Sequence, residues 1–232
     1  MAGLWILGLL LLIAAVPVVL VYLWFRFRRF PLPALWFLLS LLAGVFSVLI
    51  AAVLQGLLFR GTLDTAPQEG MGAFFASVFL RIALTEEAGR ALALALLFRL
   101  ARVCKGLPFP SRDQGSRAFG EEALRFGAAM GLVAGLGFAL IENASYGASD
   151  MRIALLRTLT SAPLHGACAA RIGMGVLGFR ERPFRGLGRF LSAVILHGMY
   201  NLMVISPVIP PILPILIAFS ALVTAMQCIR SR

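Results

Sequence analysis

Acidic, basic and amide side chains interrupt long apolar stretches of this 232-residue chain. Four of them are charged, and at about 3 kcal/mol each on membrane-insertion scales they would cost roughly 12 kcal/mol if unpaired in a bilayer. Carboxylates and imidazoles are also the groups that act as general bases, general acids and metal ligands. The candidates for chemistry are therefore Glu86, Glu87, Arg90, Glu142, Asn143, His165, His197 and Asn201.

The spacing of these residues predicts shared helix faces. Glu86 and Glu87 precede Arg90 by four and three residues, so on a helix the guanidinium can reach either carboxylate. His197 and Asn201 are also four residues apart and would lie one above the other. Two histidines and two glutamate-bearing segments are a plausible set of ligands for zinc, and also a plausible acid–base set.

The elements that position these residues must be membrane helices. Sixty per cent of the chain is hydrophobic, 13% is charged and the mean hydropathy is +0.93, whereas a soluble domain is about half apolar and a quarter charged. This composition excludes a water-soluble enzyme, a disordered chain and a disulfide-linked secreted domain. The three cysteines have no zinc-ligand spacing.

Apolar stretches of about 20 residues predict transmembrane helices. We expect an all-α, polytopic helical bundle that forms a single integral membrane domain over residues 1–232. The sequence contains about seven such stretches, at residues 3–25, 31–57, 72–98, 123–146, 157–178, 189–206 and 208–228.

Basic residues orient the predicted bundle. With seven spans, fifteen Arg and Lys residues fall on one side, and only Arg60, Arg152 and Arg157 fall on the other. Cytoplasmic loops collect positive charge, so this asymmetry predicts an N-terminus outside and a C-terminus inside. The same rule explains the net charge of +11 without a nucleic-acid partner.

A stripe of small residues predicts how two of the spans pack. Gly127, Gly131 and Gly135 recur every four residues, which allows close helix–helix approach. Glu142 lies about 100° around the helix from this stripe. The distance along each helix from the basic residues at its inner end places the polar groups of four spans in the middle or outer part of the bilayer. We therefore expect one shared cavity that opens outward.

At four places the sequence resembles the PrsW proteases, within the wider group of CAAX prenyl proteases and bacteriocin-processing enzymes. Glu86-Glu87-Ala-Gly-Arg90 is similar to their first motif, although lysine is commoner than arginine at its end. Phe138-Ala-Leu-Ile-Glu142-Asn143 is similar to the second motif, His165 to the third and His197-Gly-Met-Tyr-Asn201 to the fourth. The resemblance covers the motif core at residues 85–202.

This resemblance implies an intramembrane endopeptidase of the bacterial cell (inner) membrane. Its substrate would be a membrane protein, such as a single-pass anti-sigma factor, cut near the outer face. With no Ser/His/Asp set in view, we expect water activated by Glu86 as general base, with His165 as its partner. His197 and Asn201 would donate to the oxyanion. Glu142 would orient the water or a histidine, with support from Glu87, Arg90 and Asn143.

Other interpretations stay open at this point. A metal-dependent protease would use Glu86, Glu142, His165 and His197 as ligands to a divalent ion such as zinc, although no HExxH motif is present. We favour the metal-free, glutamic mechanism and expect no cofactor. A non-catalytic membrane scaffold and a transporter are further alternatives, the latter weakened by the absence of a visible repeat.

Overall fold

A computed structural model describes residues 2–59, 70–103 and 116–230, and all the regular structure in these ranges is helical. The glycines and prolines of residues 99–122 predict a cytoplasmic loop, and residues 104–115 of it, with Cys104, lie outside the described residues. The helices are α1 (Ala2–Phe27), α2 (Ala34–Leu58), α3 (Met71–Ala76), a π-helical segment (Ser77–Leu84), α4 (Thr85–Val103), α5 (Ser116–Gly147), α6 (Met151–Gly178), α7 (Pro183–Ile205) and α8 (Ile212–Arg230).

The predicted all-helical fold is confirmed, and each predicted span coincides with a helix. Short connections carry helix-starting signals: Asp150 caps α6 by accepting the backbone N–H of Arg152 at 2.9 Å, and Pro183 occupies the first turn of α7. The third predicted span is one continuous helix made of α3, the π-helical segment and α4.

Five described helices are long and apolar enough to cross a membrane: Gly8–Phe27, Ala34–Leu58, Gly120–Gly147, Pro183–Ile205 and Ile212–Arg230. Large apolar side chains on α1, α2 and α8 are exposed, as expected for lipid contact. The two helices outside this set, α3–α4 and α6, carry Glu86, Glu87, Arg90 and His165, which lower their hydropathy. A count of seven spans therefore remains a prediction.

Helices α5 and α6 form the centre of the bundle and pack most extensively against each other. A Cβ on Gly131 would meet the backbone of Ala169 and Ala170, and a Cβ on Gly127 would meet that of Gly173. The glycine stripe therefore makes the close contact predicted from its spacing.

Helix α2 holds both α4 and α5 in place. Gly137 of α5 approaches the backbone of Leu41, and Gly89 of α4 approaches the backbone of Ser47. Gln55 of α2 also donates to the Thr85 hydroxyl at 3.1 Å, immediately before the glutamate pair. Helix α2 thus holds the start of α4 in position relative to α5.

The π-helical segment Ser77–Leu84 was not predicted from the sequence. It is followed by Thr85, whose hydroxyl donates to the Arg81 carbonyl and lies 3.1 Å from the Ile82 carbonyl. A π-bulge widens a helix by one residue per turn and often occurs beside functional sites. The apolar stretch runs through this segment without a break, so the sequence predicted one helix here and did not mark the change of helix type.

Candidate active site

Four helices bring the candidate side chains together. Glu86, Glu87 and Arg90 project from α4, Glu142 from α5, His165 from α6 and His197 from α7. One potential ligand atom from each of Glu86, His165 and His197 lies within 4.8 Å of the others. Residues separated by more than 100 positions in the chain therefore share one cluster inside the bundle.

Arg90 links the members of this cluster. Its side chain is fully buried and donates to Glu87 Oε1 through Nη1. Its Nη2 lies 3.1 Å from Glu86 Oε2 and 2.8 Å from His165 Nδ1, so one nitrogen bridges the carboxylate and the imidazole. The guanidinium carbon lies 3.9 Å from the centre of the Phe138 ring, within cation–π range.

The contacts of His165 define its tautomer. Arg90 has only donors, so His165 Nδ1 accepts, and the proton of a neutral ring is then on Nε2. That Nε2 lies 2.7 Å from Glu142 Oε2, to which it donates. His165 is therefore held on both nitrogens, by a cation on one side and a carboxylate on the other.

Among the described residues, His197 is hydrogen-bonded through one nitrogen only. Its Nδ1 lies 2.7 Å from Glu87 Oε1 and donates to that carboxylate, while its Nε2 lies 3.8 Å from Glu86 Oε2. In a neutral ring Nε2 presents a lone pair toward Glu86, and in a protonated ring it presents an N–H. The protonation state of His197 thus decides whether it is a ligand or a donor.

The charges of the described cluster do not cancel. Glu86, Glu87 and Glu142 contribute three negative charges when ionised, and Arg90 and Arg157 contribute two positive ones. An uncompensated charge away from water is costly, so this excess requires a neutralising partner. Either a proton within the cluster or a bound cation supplies it.

Arg157 is a site residue that the sequence analysis missed. It was assigned to the outer side of the membrane, but its Nη2 lies 2.7 Å from Glu142 Oε2 and its Nε donates to Asn143 Oδ1 at 3.2 Å. Its guanidinium carbon also lies 4.0 Å from the centre of the Tyr146 ring. The available signal was its position eight residues, or about two helical turns, before His165, on the same face of α6.

The two predicted asparagines occupy different environments. Asn143 is buried, and it supports Arg157 through Oδ1 while its Nδ2 has no partner within the described residues. Asn201 is partly exposed on α7, one turn after His197, and joins none of the cluster's contacts among the described residues. The predicted oxyanion role of Asn201 therefore requires a bound substrate.

The side chains of the cluster differ in their exposure. The side chains of Glu86, Glu142 and Arg157 are 10%, 19% and 18% exposed, whereas those of Glu87 and Arg90 are fully enclosed. Glu142 also lies close to the end of α5, near the short connection at 148–150. Glu86 and Glu142 are thus more accessible than Glu87 and Arg90.

Comparison with known families agrees with this geometry. Residues 31–226 match the family described as PrsW family intramembrane metalloprotease, well beyond the motif core predicted from the sequence. Comparisons with curated proteins and with solved structures gave no match. Because the family match covers most of the chain, this protein belongs to the PrsW family of intramembrane proteases.

Proposed function

We propose that this protein hydrolyses a peptide bond of a membrane-protein substrate, with water activated by Glu86. The observation that supports this proposal best is the placement of Glu86, a buried carboxylate 3.1 Å from the Arg90 guanidinium and 3.8 Å from His197 Nε2. Family membership supports the reaction class. The substrate class and the outward-facing site come from the predicted topology and the family resemblance.

The remaining residues have distinct tasks in this proposal. Arg90 keeps the Glu86 carboxylate turned toward the histidines, and Glu142 with Arg157 fixes the ring of His165. Glu87 holds His197 through Nδ1. A protonated His197 directs an N–H toward the position where the oxyanion develops, and Asn201 would add a second donor.

A metal-dependent form is the second candidate, because of the family description and the Glu86–His165–His197 cluster. Glu87 orients His197 as a carboxylate orients a metal-ligating histidine, so Glu86 and His197 fit this role. His165 would join them by releasing Arg90 or Glu142, since both of its nitrogens are engaged. Glu142, a fourth ligand in the sequence analysis, is paired with Arg157 and is not one of the three residues whose ligand atoms lie within 4.8 Å of one another. A bound ion would polarise the scissile carbonyl and lower the pKa of water.

Because His165 is engaged on both nitrogens, we expect the metal-free form. Purified protein should cleave a single-pass membrane substrate after exhaustive chelation, and its activity should not track added zinc. Asn201→Asp should reduce the rate by about 10²–10³, because it places a carboxylate near the developing negative charge, and zinc should not rescue it. A stoichiometric metal whose removal and return control activity would establish the metal-dependent form.

A further inference from the structure

A polar cavity lies at the end of the bundle that bears the basic residues, away from the glutamate–histidine cluster. It has a volume of about 440 Å³ and is lined by Trp24, Phe30 and the four arginines Arg28, Arg29, Arg125 and Arg230, together with Pro31 and Ile229. Two of the arginines come from the turn after α1, and the other two come from α5 and from the end of α8. None of the described residues lining this cavity is acidic.

Four guanidiniums around one cavity repel each other unless an anion lies between them. Arg125 is anchored, since its Nε donates to the Ile229 carbonyl at 3.1 Å, which leaves both of its Nη groups for another acceptor. Arg28, Arg29 and Arg230 are exposed at the rim. The excess of positive charge on the predicted inner side would not by itself bring arginines from separate segments of the chain to one cavity.

The backbone at Arg29 supports a specific need for arginine. This residue has φ 51°, in the left-handed region that favours glycine, and the next N–H, from Phe30, donates to the Phe25 carbonyl at 3.0 Å. This is the helix C-terminal motif in which glycine is the usual residue. The chain carries a cation here despite the conformational cost.

The surroundings of the cavity favour a lipid as the source of the anion. Leu20 and Leu23 of α1 and Phe219 and Val223 of α8 are exposed apolar side chains on the two helices that lead away from it. Buried side chains of both helices pack in the same core cluster as α5, so the two helices lie on a common support. The cavity thus combines a cationic head site with apolar surfaces that could contact acyl chains.

We propose that this cavity binds the headgroup of an anionic phospholipid, with its phosphate between the guanidiniums and its acyl chains along α1 and α8. Arginine groups are suited to phosphate because they donate in a fixed fork. Basic sites between membrane helices are a common form of lipid recognition. The site is independent of the proposed protease chemistry.

The test uses the full chain in neutral detergent, with phosphatidylglycerol and phosphatidylcholine as probes and bound lipid measured by native mass spectrometry. Wild type should bind phosphatidylglycerol at least about tenfold more tightly than phosphatidylcholine. Arg28→Gln with Arg230→Gln should weaken phosphatidylglycerol binding roughly 30-fold, and Arg230→Gln alone about fivefold. The single variant keeps the test valid if the double variant unfolds.

A matched control removes two exposed arginines that do not line the cavity, by Arg26→Gln with Arg182→Gln. It should bind phosphatidylglycerol within about twofold of wild type. An equal loss in this control would show attraction to general surface charge and overturn the proposal. Equal binding of phosphatidylcholine, or full displacement of the lipid by inorganic phosphate at the same concentration, would overturn it as well.

Discussion

Each polar residue of the cluster restricts the state of a neighbour. Arg90 cannot accept a hydrogen bond, so it sets the tautomer of His165 and thereby the direction of the bond to Glu142. Glu87 sets the orientation of His197 in the same way. Glu86 lies near both histidines, and its side chain is 10% exposed, whereas that of Glu87 is fully enclosed. We therefore assign different roles to the two adjacent glutamates.

Arg157 should matter for catalysis although it does not face the Glu86 carboxylate. Arg157→Gln leaves Glu142 paired with His165 alone, so His165 is held less firmly and the cleavage rate should fall by about 10–100-fold. Because Arg157 and Glu142 act on the same ring, the effect of Arg157→Gln should be much smaller in a Glu142→Gln background.

Cleavage rates of the wild type, the two single variants and the double variant measure this coupling. Arg152→Gln, an exposed arginine at the start of the same helix, is the control and should leave the rate unchanged. Rates that multiply independently in the double variant would show that Arg157 acts elsewhere.

At the scale of elements, the α5–α6 contact determines the distance between Glu142 and His165. The glycine stripe lets the two helices approach until backbone meets backbone, and the 2.7 Å contact between the two side chains lies just beyond that stripe. Small residues are needed there because helices in a membrane associate through tight packing. The hydrophobic effect does not drive this association, since lipid tails are as apolar as the side chains.

Gly131→Ala should separate α5 from α6, since its Cβ would meet the backbone of Ala169. We expect destabilisation by about 1–3 kcal/mol, as in other overpacked cores, and a reduced cleavage rate. Gly120→Ala in the same helix is the matched control, because its Cβ would meet nothing within 4 Å.

Thermal unfolding in detergent and the cleavage rate check this prediction. Gly120→Ala should be neutral or slightly stabilising, because alanine is the better helix former. A Gly131→Ala protein as stable and active as wild type would mean that the close approach of these helices is not needed.

At the scale of the whole molecule, the charge asymmetry predicts which side of the membrane the site faces. A cysteine at position 66, in a variant without native cysteines, should react with an impermeant reagent added to intact cells. A cysteine at position 113 should react only after permeabilisation, since fifteen basic residues mark that side as cytoplasmic. Both positions lie outside the described residues, and the opposite labelling pattern would invert the proposed orientation.

The sequence predicted the helices and the contacts within α4 because both depend on local spacing. The grouping of the polar residues of four spans was predicted from their depth and from the family resemblance. Apolar stretches gave the helix ends to within seven residues, and the intervals between Glu86, Glu87 and Arg90 predicted their contacts. The partnership of Arg157 with Glu142 depends on how α5 and α6 face each other, which the order of residues does not specify. The π-helical segment was missed for a related reason, since its stability depends on tertiary packing rather than on apolar periodicity.

The central claim is that Glu86 and His165, which are joined through Arg90 Nη2, act as one hydrolytic unit. It is tested most directly by the cleavage of a single-pass membrane substrate by purified wild type, Glu86→Gln, His165→Ala and the double variant, each confirmed as folded by its thermal unfolding. Each single change should reduce cleavage by several orders of magnitude, and the double variant should be little worse, because residues that act as a unit are not additive. Cleavage that persists at the wild-type rate in Glu86→Gln would contradict the account.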